Sequence, residues 1–229
     1  MARAEQTARA TMNWDQSSTP GVKVETQLIK RSEVRGRTVM DYRITVSGAP
    51  HDRQYTLMAW PITVSQPIVL MEGLIIAADG TVGCPADSIK SCSQHLKGKE
   101  LHLTYIPSSG EIYRHALISE DHQARAFFSI IPVPFVVTDK GCSLEVVRLS
   151  PQFELVIVRG KGFQPGEQLM FHTQSYQEMH DVPVTVDSHG QFQAHLTPTV
   201  KGRVAGTIAV TATAKSCSPT ISFDWGQRP

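Results

Sequence analysis

Two histidines and two aspartates in the last third of the chain are the first residues whose types could bind a metal ion. His180 and Asp181 precede the apolar run Val182–Val186, and Asp187 and His189 follow it. A cation needs its ligands in one coordination sphere, whereas a five-residue strand would hold the two pairs about 17 Å apart. The second pair also lies in a sequence typical of a hairpin turn. We therefore expect no metal site in this region.

Groups suited to acid–base or nucleophilic chemistry are present but form no known catalytic pattern. The chain contains no G-x-S-x-G, H-E-x-x-H or Walker-loop sequence. Glu120, Asp121 and His122 are adjacent, as in a solvated polar loop, and nearness in sequence does not make a triad. Three further histidines fall on the polar faces of predicted strands, where water is the expected partner: His102, His172 and His195. We expect no catalytic residue and no cofactor.

One segment carries side chains better suited to contact than to catalysis. Tyr176, Met179 and His180 lie where the surrounding pattern predicts a polar loop. An exposed aromatic ring near a methionine is typical of a contact surface. The alternative is that Tyr176 and Met179 fold back over the end of the domain and only cover its core.

Composition and charge narrow the classes of partner. The 229 residues are 41% hydrophobic and 19% charged, with a net charge of +1. Because no basic stripe is present, we expect an ordered globular protein without a nucleic-acid partner. The longest apolar run, Ile130–Val137, contains two prolines and is far shorter than a membrane-spanning helix, so we expect no transmembrane segment.

The start of the chain does not identify a compartment. Residues 1–19 lack the apolar core of a signal peptide. If the protein is exported, we expect that its signal peptide has been removed. A lipid anchor attached upstream of the visible chain is an open alternative.

Alternation of apolar and polar residues is the main structural signal from Val22 onward. No segment keeps helical spacing for three turns, so the sequence predicts an all-β protein. In the first half, the predicted strands begin near Val22 and Met40 and continue as Tyr55–Trp60, Val69–Ala77, Leu101–Ile106 and Arg125–Ile131.

The second half alternates more regularly and is typical of an antiparallel β-sandwich. Its seven predicted strands are Leu144–Leu149, Phe153–Gly160, Gln168–Thr173, Val182–Val186, Gln191–Leu196, Thr207–Ala212 and Thr220–Trp225. One apolar face of each strand is expected to point to the core. These faces include Val182, Val184, Val186, Phe192 and Phe223.

Three segments give this half a family resemblance. The sequences Gly160-Lys-Gly-Phe-Gln-Pro-Gly-Glu167, Val186-Asp-Ser-His-Gly-Gln-Phe192 and Gly206-Thr-Ile-Ala-Val-Thr-Ala212, followed by Phe223, resemble bacterial extracellular immunoglobulin-like modules with a G-x-G-F-x-P-G-E opening. The likeness covers about 65 residues. It implies a structural or adhesive module of a secreted or surface protein. Gly162 and Gly166 are expected at turn positions with positive φ.

We therefore predict two consecutive immunoglobulin-like antiparallel β-sandwich domains, residues 20–138 and 139–229, after a flexible N-terminal segment of residues 1–19. The first half matches no motif. Between the domains, Ile130–Val137 is apolar and stiffened by prolines. We expect a short semi-rigid junction with Phe135 packed between the two domains.

The four cysteines support this arrangement as two disulfides. None belongs to a C-x-x-C pair, so a zinc site or redox dithiol is not expected. Cys84 and Cys92 bracket a short polar loop that one bridge would close. In an immunoglobulin-like sandwich, the start of the first strand and the turn before the last strand share one end, which pairs Cys142 with Cys217. The alternative is four free thiols in a cytosolic protein.

These features predict a non-catalytic, extracytoplasmic bacterial protein that is periplasmic, secreted or on the cell surface and binds a protein or a glycan. One alternative is a periplasmic assembly factor of the chaperone type, which joins two immunoglobulin-like domains and donates a strand to its client. No residues reproduce the basic client anchor of such chaperones, and Lys30, Arg31, Arg35 or Arg37 are only available for that role. A second alternative is an enzyme with a site at the domain junction.

Overall fold

The computed structural model describes residues 17–60, 67–86, 92, 97–149 and 155–226. Within these residues the chain is almost entirely β-structure, and all strands of its sheets pair antiparallel. This confirms the all-β class. The strands are β1 (Lys23–Val34), β2 (Arg37–Ser47), β3 (Tyr55–Ala59), β4 (Ile68–Ile76), β5 (Val82–Gly83), β6 (His102–Tyr105), β7 (Tyr113–Ser119), β8 (Arg125–Ile130), β9 (Phe135–Asp139), β10 (Cys142–Arg148), β11 (Val156–Lys161), β12 (Gln168–Ser175), β13 (Glu178–Thr185), β14 (Gln191–Leu196), β15 (Ala205–Thr213) and β16 (Thr220–Gly226).

The chain divides into two compact units. The first unit runs to Pro107 and includes Tyr113–Pro132, and the second combines Ser108–Ile112 with the chain from Val133 onward. The sequence-based boundary after residue 138 therefore falls inside β9, which pairs with β10 of the second unit. Of the segment expected to be flexible, residues 1–16 lie outside the described residues. Ser18 and Thr19 are hydrogen bonded to β8.

The first unit contains a three-stranded sheet, β1-β2-β6, and a five-stranded sheet, β5-β4-β3-β7-β8. Alternation in β2 places Met40, Tyr42, Ile44 and Val46 in the core. Strand β7 was not predicted, because the five residues from 115 to 119 are all buried. A strand covered on both faces has no polar face and therefore shows no alternation.

Strands β1 and β2 form a long hairpin at the edge of the first sheet. Arg35 and Gly36 form its two-residue turn, with φ of 50° and 71°. Positive φ at both positions is typical of a type I′ turn, which matches the twist of the flanking strands. Strand β1 is exposed along nearly its whole length.

The second unit is a sandwich of two four-stranded sheets, β14-β11-β10-β9 and β13-β12-β15-β16. Inward-facing residues of both sheets form one core, in which Val158, Phe171, Val210 and Phe223 are buried. Phe135, which we expected at the junction, packs against this core with its ring centroid 6.5 Å from that of Phe223. The predicted first part of the strand Phe153–Gly160 lies outside the described residues as far as position 154.

Glycines of the resemblance motif occupy the turn positions expected for them. Gly162 and Gly166 have φ of 81° and 75°. Gly162 also lies against the backbone of Gly141, where a side chain would have no room. The following Phe163 is buried and meets the ring of Phe192 edge-on.

Two disulfides join the chain, Cys84–Cys92 and Cys142–Cys217, which are the pairings expected from the sequence. Residues 87–91 of the loop that the first bridge closes lie outside the described residues. Beside the second bridge, a carboxylate oxygen of Asp139 accepts a hydrogen bond from Ser218 N at 2.7 Å. The two disulfides indicate that the protein forms in an oxidising environment.

Candidate functional site

A groove opens in the second unit between the edges of its two sheets. Strand β13 is the edge of one sheet and β14 is the edge of the other. The groove has a volume of about 340 Å³ and is lined by β12, β13, β15 and the chain from 195 to 200. Such a volume is near the lower end of the roughly 300–1,000 Å³ that ligand sites have.

The floor of the groove combines apolar core residues with buried hydroxyl groups. Phe171 and Ile208 are buried, and so are Thr173 and Ser175, which continue the inner face of β12. Ser175 Oγ donates a hydrogen bond to the carbonyl of Thr207 at 2.9 Å and accepts one from the indole N–H of Trp225 at 3.0 Å. The hydroxyl proton therefore takes part in a hydrogen bond to a carbonyl oxygen. Neither hydrogen-bond partner of this hydroxyl is a histidine that could act as a base.

Strand β13 forms one wall of the groove through alternate residues. Glu178, His180 and Val182 line the groove, whereas Met179 between them does not. The sequence placed Val182 in the core, but its side chain is 51% exposed. The prediction is wrong at this residue because β13 is an edge strand and the opposite sheet does not cover its inner face there. It is confirmed at Val186, which is buried.

The opposite wall brings a second imidazole to the groove. His195, which the sequence placed on a polar strand face, has its Nε2 2.9 Å from the side-chain nitrogen of Gln193. Across the groove, Glu178 accepts a long hydrogen bond of 3.4 Å from Lys201 N. The apolar residues of the floor can hold an apolar side chain, and the imidazole and carboxylate groups of the rim can hydrogen bond to the backbone around it.

The three residues of the predicted contact loop lie in and beside a tight hairpin turn. They belong to the β12–β13 hairpin, in which Ser175 pairs with Glu178 and only two residues form the turn. Tyr176 lies in this turn, and its ring packs against Gly206. Its hydroxyl donates a hydrogen bond to the carbonyl of Ala205 at 2.8 Å, and the guanidinium of Arg203 lies over its ring. Met179 is 61% exposed. Only His180 of the three lines the groove.

Both aspartates weighed as metal ligands have other partners. Asp181 is hydrogen bonded to His172 across the hairpin. Asp187 accepts hydrogen bonds from the backbone of His189 and Gln191, each at 2.8 Å, and the bond from Gln191 is the main reason that the pKa of Asp187 lies below its usual range. Among the described residues, no three His, Cys, Asp or Glu side chains are placed to hold a metal ion.

The adjacent Glu120, Asp121 and His122 form the predicted polar turn. Asp121 accepts hydrogen bonds from Ser119 Oγ at 2.6 Å and Gln123 N at 3.1 Å, which lower the pKa of its carboxyl group, the serine bond most. Its other oxygen pairs with Arg53 at 2.5 Å. These contacts stabilise the connection between β7 and β8. The remaining histidine of the sequence analysis, His102, lies near Glu100, which pairs with Arg43.

A buried tyrosine–histidine pair in the first unit was missed by sequence reasoning. Tyr105 Oη lies 2.8 Å from His115 Nε2, and His115 is 4% exposed. The imidazole also stacks on Phe128, with ring centroids 5.3 Å apart. Burial lowers the pKa of His115 to about 4, although a hydrogen bond with the backbone of Met58 opposes this, and burial raises the pKa of Tyr105 above its usual range. The signal in the sequence was Ala116-Leu117-Ile118, an apolar run directly after His115.

Acidification is expected to destabilise the first unit through His115. Its pKa is about 4 in the folded protein and 6.5 without burial. Below pH 6.5 the unfolded chain binds a proton that the buried imidazole does not accept, so the free energy of unfolding falls as the pH is lowered toward 4. The difference corresponds to about 3 kcal/mol. His115→Phe should lower stability at pH 7, because the Tyr105 hydroxyl loses its partner, but should also remove this pH dependence. Urea unfolding of both proteins at pH 7 and 4.5 tests this, and equal pH dependence would contradict it.

No described segment forms a helix that is long and apolar enough to cross a membrane. No protein-family model matches the sequence, and a search of curated proteins finds no match. The chemistry of the groove is therefore the main guide to function.

Proposed function

We propose that the chain is an exported, non-catalytic binding protein whose second unit holds an extended ligand in the groove between β13 and β14. The observation that carries this proposal is the position of the groove. It lies where both sheets end in edge strands, and the polar groups of its rim are accessible from solvent. The engagement of Ser175 with Thr207 and Trp225 supports a binding role over a nucleophilic one.

We further infer an immunoglobulin-like arrangement for this unit, as in the bacterial extracellular modules that the sequence resembles. Its support is the strand order. The sheet β13-β12-β15-β16 has the order of strands C′, C, F and G, and β14-β11-β10 has the order of E, B and A. In that arrangement a strand D would lie beside β14. No described strand occupies this place, and the groove lies there.

The disulfides support the proposed compartment. Bridges persist in the periplasm, in secreted proteins and on cell surfaces, and are rare in the cytosol. Cys84–Cys92 and Cys142–Cys217 therefore support an extracytoplasmic location. A lipid anchor attached upstream would be compatible with it.

An extended protein segment is the ligand that this geometry favours. A segment in the place of strand D would hydrogen bond to the edge of β14 through its backbone, and every second side chain would point into the groove. The floor at Phe171 and Ile208 would accept an apolar side chain. A glycan is the alternative, and the lining contains no exposed aromatic ring among the described residues on which a sugar would stack.

A display library of random peptides, selected on the full chain, tests this function. Binding of the enriched peptides should weaken by about ten- to a hundredfold in Val182→Glu, since an apolar contact in the groove is replaced by a charge. The matched control is Met179→Glu, which places the same charge on the same strand outside the groove. Equal losses in both variants, or none in Val182→Glu, would contradict the proposal. Binding to a glycan array, together with no enriched peptide, would favour the alternative ligand.

A further inference from the structure

We name the distal part of the β1–β2 hairpin, residues 28–38, the arm, and beyond Arg31 it is a two-stranded ribbon. Strand β1 pairs with β2 as far as Val34 and Arg37, whereas β6 pairs with β2 only from Met40 to Arg43. The arm still exposes aliphatic side chains. Leu28 is 44% exposed and Val34 is 51% exposed.

Positive charge is concentrated in the arm. It contains four cations and one carboxylate, that is 4 − 1 = +3, while the whole chain carries +1. The four cations are Lys30, Arg31, Arg35 and Arg37; all are exposed, and none forms an ion pair in the part of the chain that the structure describes.

The carboxylates nearest to these cations are already engaged by neutral groups. Glu33 accepts a hydrogen bond from Thr38 Oγ1 at 2.6 Å. Asp41 lies opposite Lys30 in the register, and it accepts a hydrogen bond from Thr104 Oγ1 at 2.6 Å. Both carboxylates keep their negative charge, so the arm has a net charge of +3, or +2 when Asp41 is counted with it.

The cations are distributed over both faces of the arm. The register places Lys30 opposite Asp41 and Arg31 opposite Met40, so that these two neighbours point to opposite faces. A flat partner, such as a membrane surface or a nucleic-acid duplex, would meet only one of the faces. An extended chain alongside β1 also presents its side chains alternately to both faces, and its acidic residues could therefore reach Lys30 and Arg31 together.

The edge of β1 supports this mode of binding and selects against self-association. Strand β1 is the outermost strand of its sheet, and an edge strand offers unpaired backbone groups to an added strand. The like charges of the arm oppose pairing with a second copy, because both copies would carry the same positive charge. An acidic segment is attracted by the same charges.

We propose that the arm is a docking edge for an acidic, extended segment of another protein, which adds as a strand along β1. This site is separate from the groove of the second unit. It lies in the first unit and binds acidic side chains, whereas the groove binds an apolar side chain.

The test uses the full chain and a synthetic ten-residue peptide that alternates pairs of glutamates with pairs of threonines, so that glutamates lie on both faces of the added strand. Binding is measured by fluorescence anisotropy at low and high salt. Lys30→Glu combined with Arg31→Glu should weaken binding about tenfold or more. The matched control, Lys161→Glu combined with Lys215→Glu, changes the net charge equally at exposed residues of the second unit and should leave binding nearly unchanged.

A second peptide separates strand addition from plain attraction between charges. N-methylation at alternate residues keeps its charge but removes backbone donors, and it should abolish binding to the wild-type protein. Equal binding of the methylated peptide, or equal losses in both double variants, would overturn the proposal. So would binding of phosphatidylglycerol vesicles or duplex DNA that depends on Lys30 and Arg31 while the acidic peptide fails to bind.

Discussion

Replacing Cys142 and Cys217 by alanine is expected to lower the free energy of unfolding of the second unit by about 4.5 kcal/mol in the chain-entropy model. The bridge joins residues 75 positions apart, so its loss releases a long loop in the unfolded chain. Both half-cystines are buried in the core, which adds a small packing loss. Urea unfolding, followed by hydrogen exchange of the amides in β10 and β15, measures the effect in the correct unit.

The Cys84–Cys92 disulfide is the internal control for this prediction. Cys84 and Cys92 are only 8 positions apart, and the same model assigns their bridge about 2.5 kcal/mol. Replacing this pair by alanine should therefore cost less than replacing the other pair and should act on the first unit. A larger loss for Cys84 and Cys92, or no loss for either pair, would show that loop length does not determine the stabilisation.

Phe192→Ala and Phe223→Ala are each expected to destabilise the second unit by about 3 to 5 kcal/mol. The Phe192 ring fills the space left by Gly160, which has no side chain, and meets the ring of Phe171 edge-on at 5.9 Å. Phe223 is 4% exposed and contacts Phe135. Truncation to alanine removes these contacts and leaves a cavity that neighbouring strands cannot close.

Neighbouring residues on the other faces of the same strands provide the control. Gln193 and Ser222 are exposed, and their replacement by alanine should change stability by no more than about 0.5 kcal/mol. Denaturant unfolding of all four variants measures the contrast. Similar small effects at the four positions would mean that the assignment of inner and outer faces is wrong.

The two proposed binding sites can be tested independently because they depend on different side chains. Binding in the groove requires the apolar wall at Val182, whereas binding at the arm requires the charges of Lys30 and Arg31. Salt should weaken binding at the arm strongly and binding in the groove only slightly, because exposed charges are screened whereas apolar burial is not.

Local sequence was sufficient to predict most strands of the second unit. Alternation identified the inner faces of β12, β14, β15 and β16, and Phe171, Phe192, Val210 and Phe223 are buried there. The positive φ of Gly162 and Gly166 followed from the turn motif. These features depend on near neighbours in the chain, which is why a sequence pattern can reveal them.

Candidate sites were harder to predict, because exposure depends on how far the opposite sheet extends. Val182 alternates like a core residue but lies on the wall of the groove. The sequence placed Tyr176 and Met179 in a loop. In the structure the turn between β12 and β13 has only two residues, so Met179 belongs to β13. Alternation predicts which residues share a face of a strand, but it does not show what covers that face.

The all-β class and the faces of the regular strands could be predicted from the sequence alone, because they follow from the two-residue repeat of a strand. The Cys84–Cys92 pairing followed from the short loop between these residues, and the Cys142–Cys217 pairing followed from the expected sandwich topology. Tertiary structure decided which faces are buried. It covered both faces of β7 and placed His115 in the core, and it left the inner face of β13 open at Val182. Burial depends on contacts between segments that are distant in sequence, and the packing of whole sheets sets those contacts.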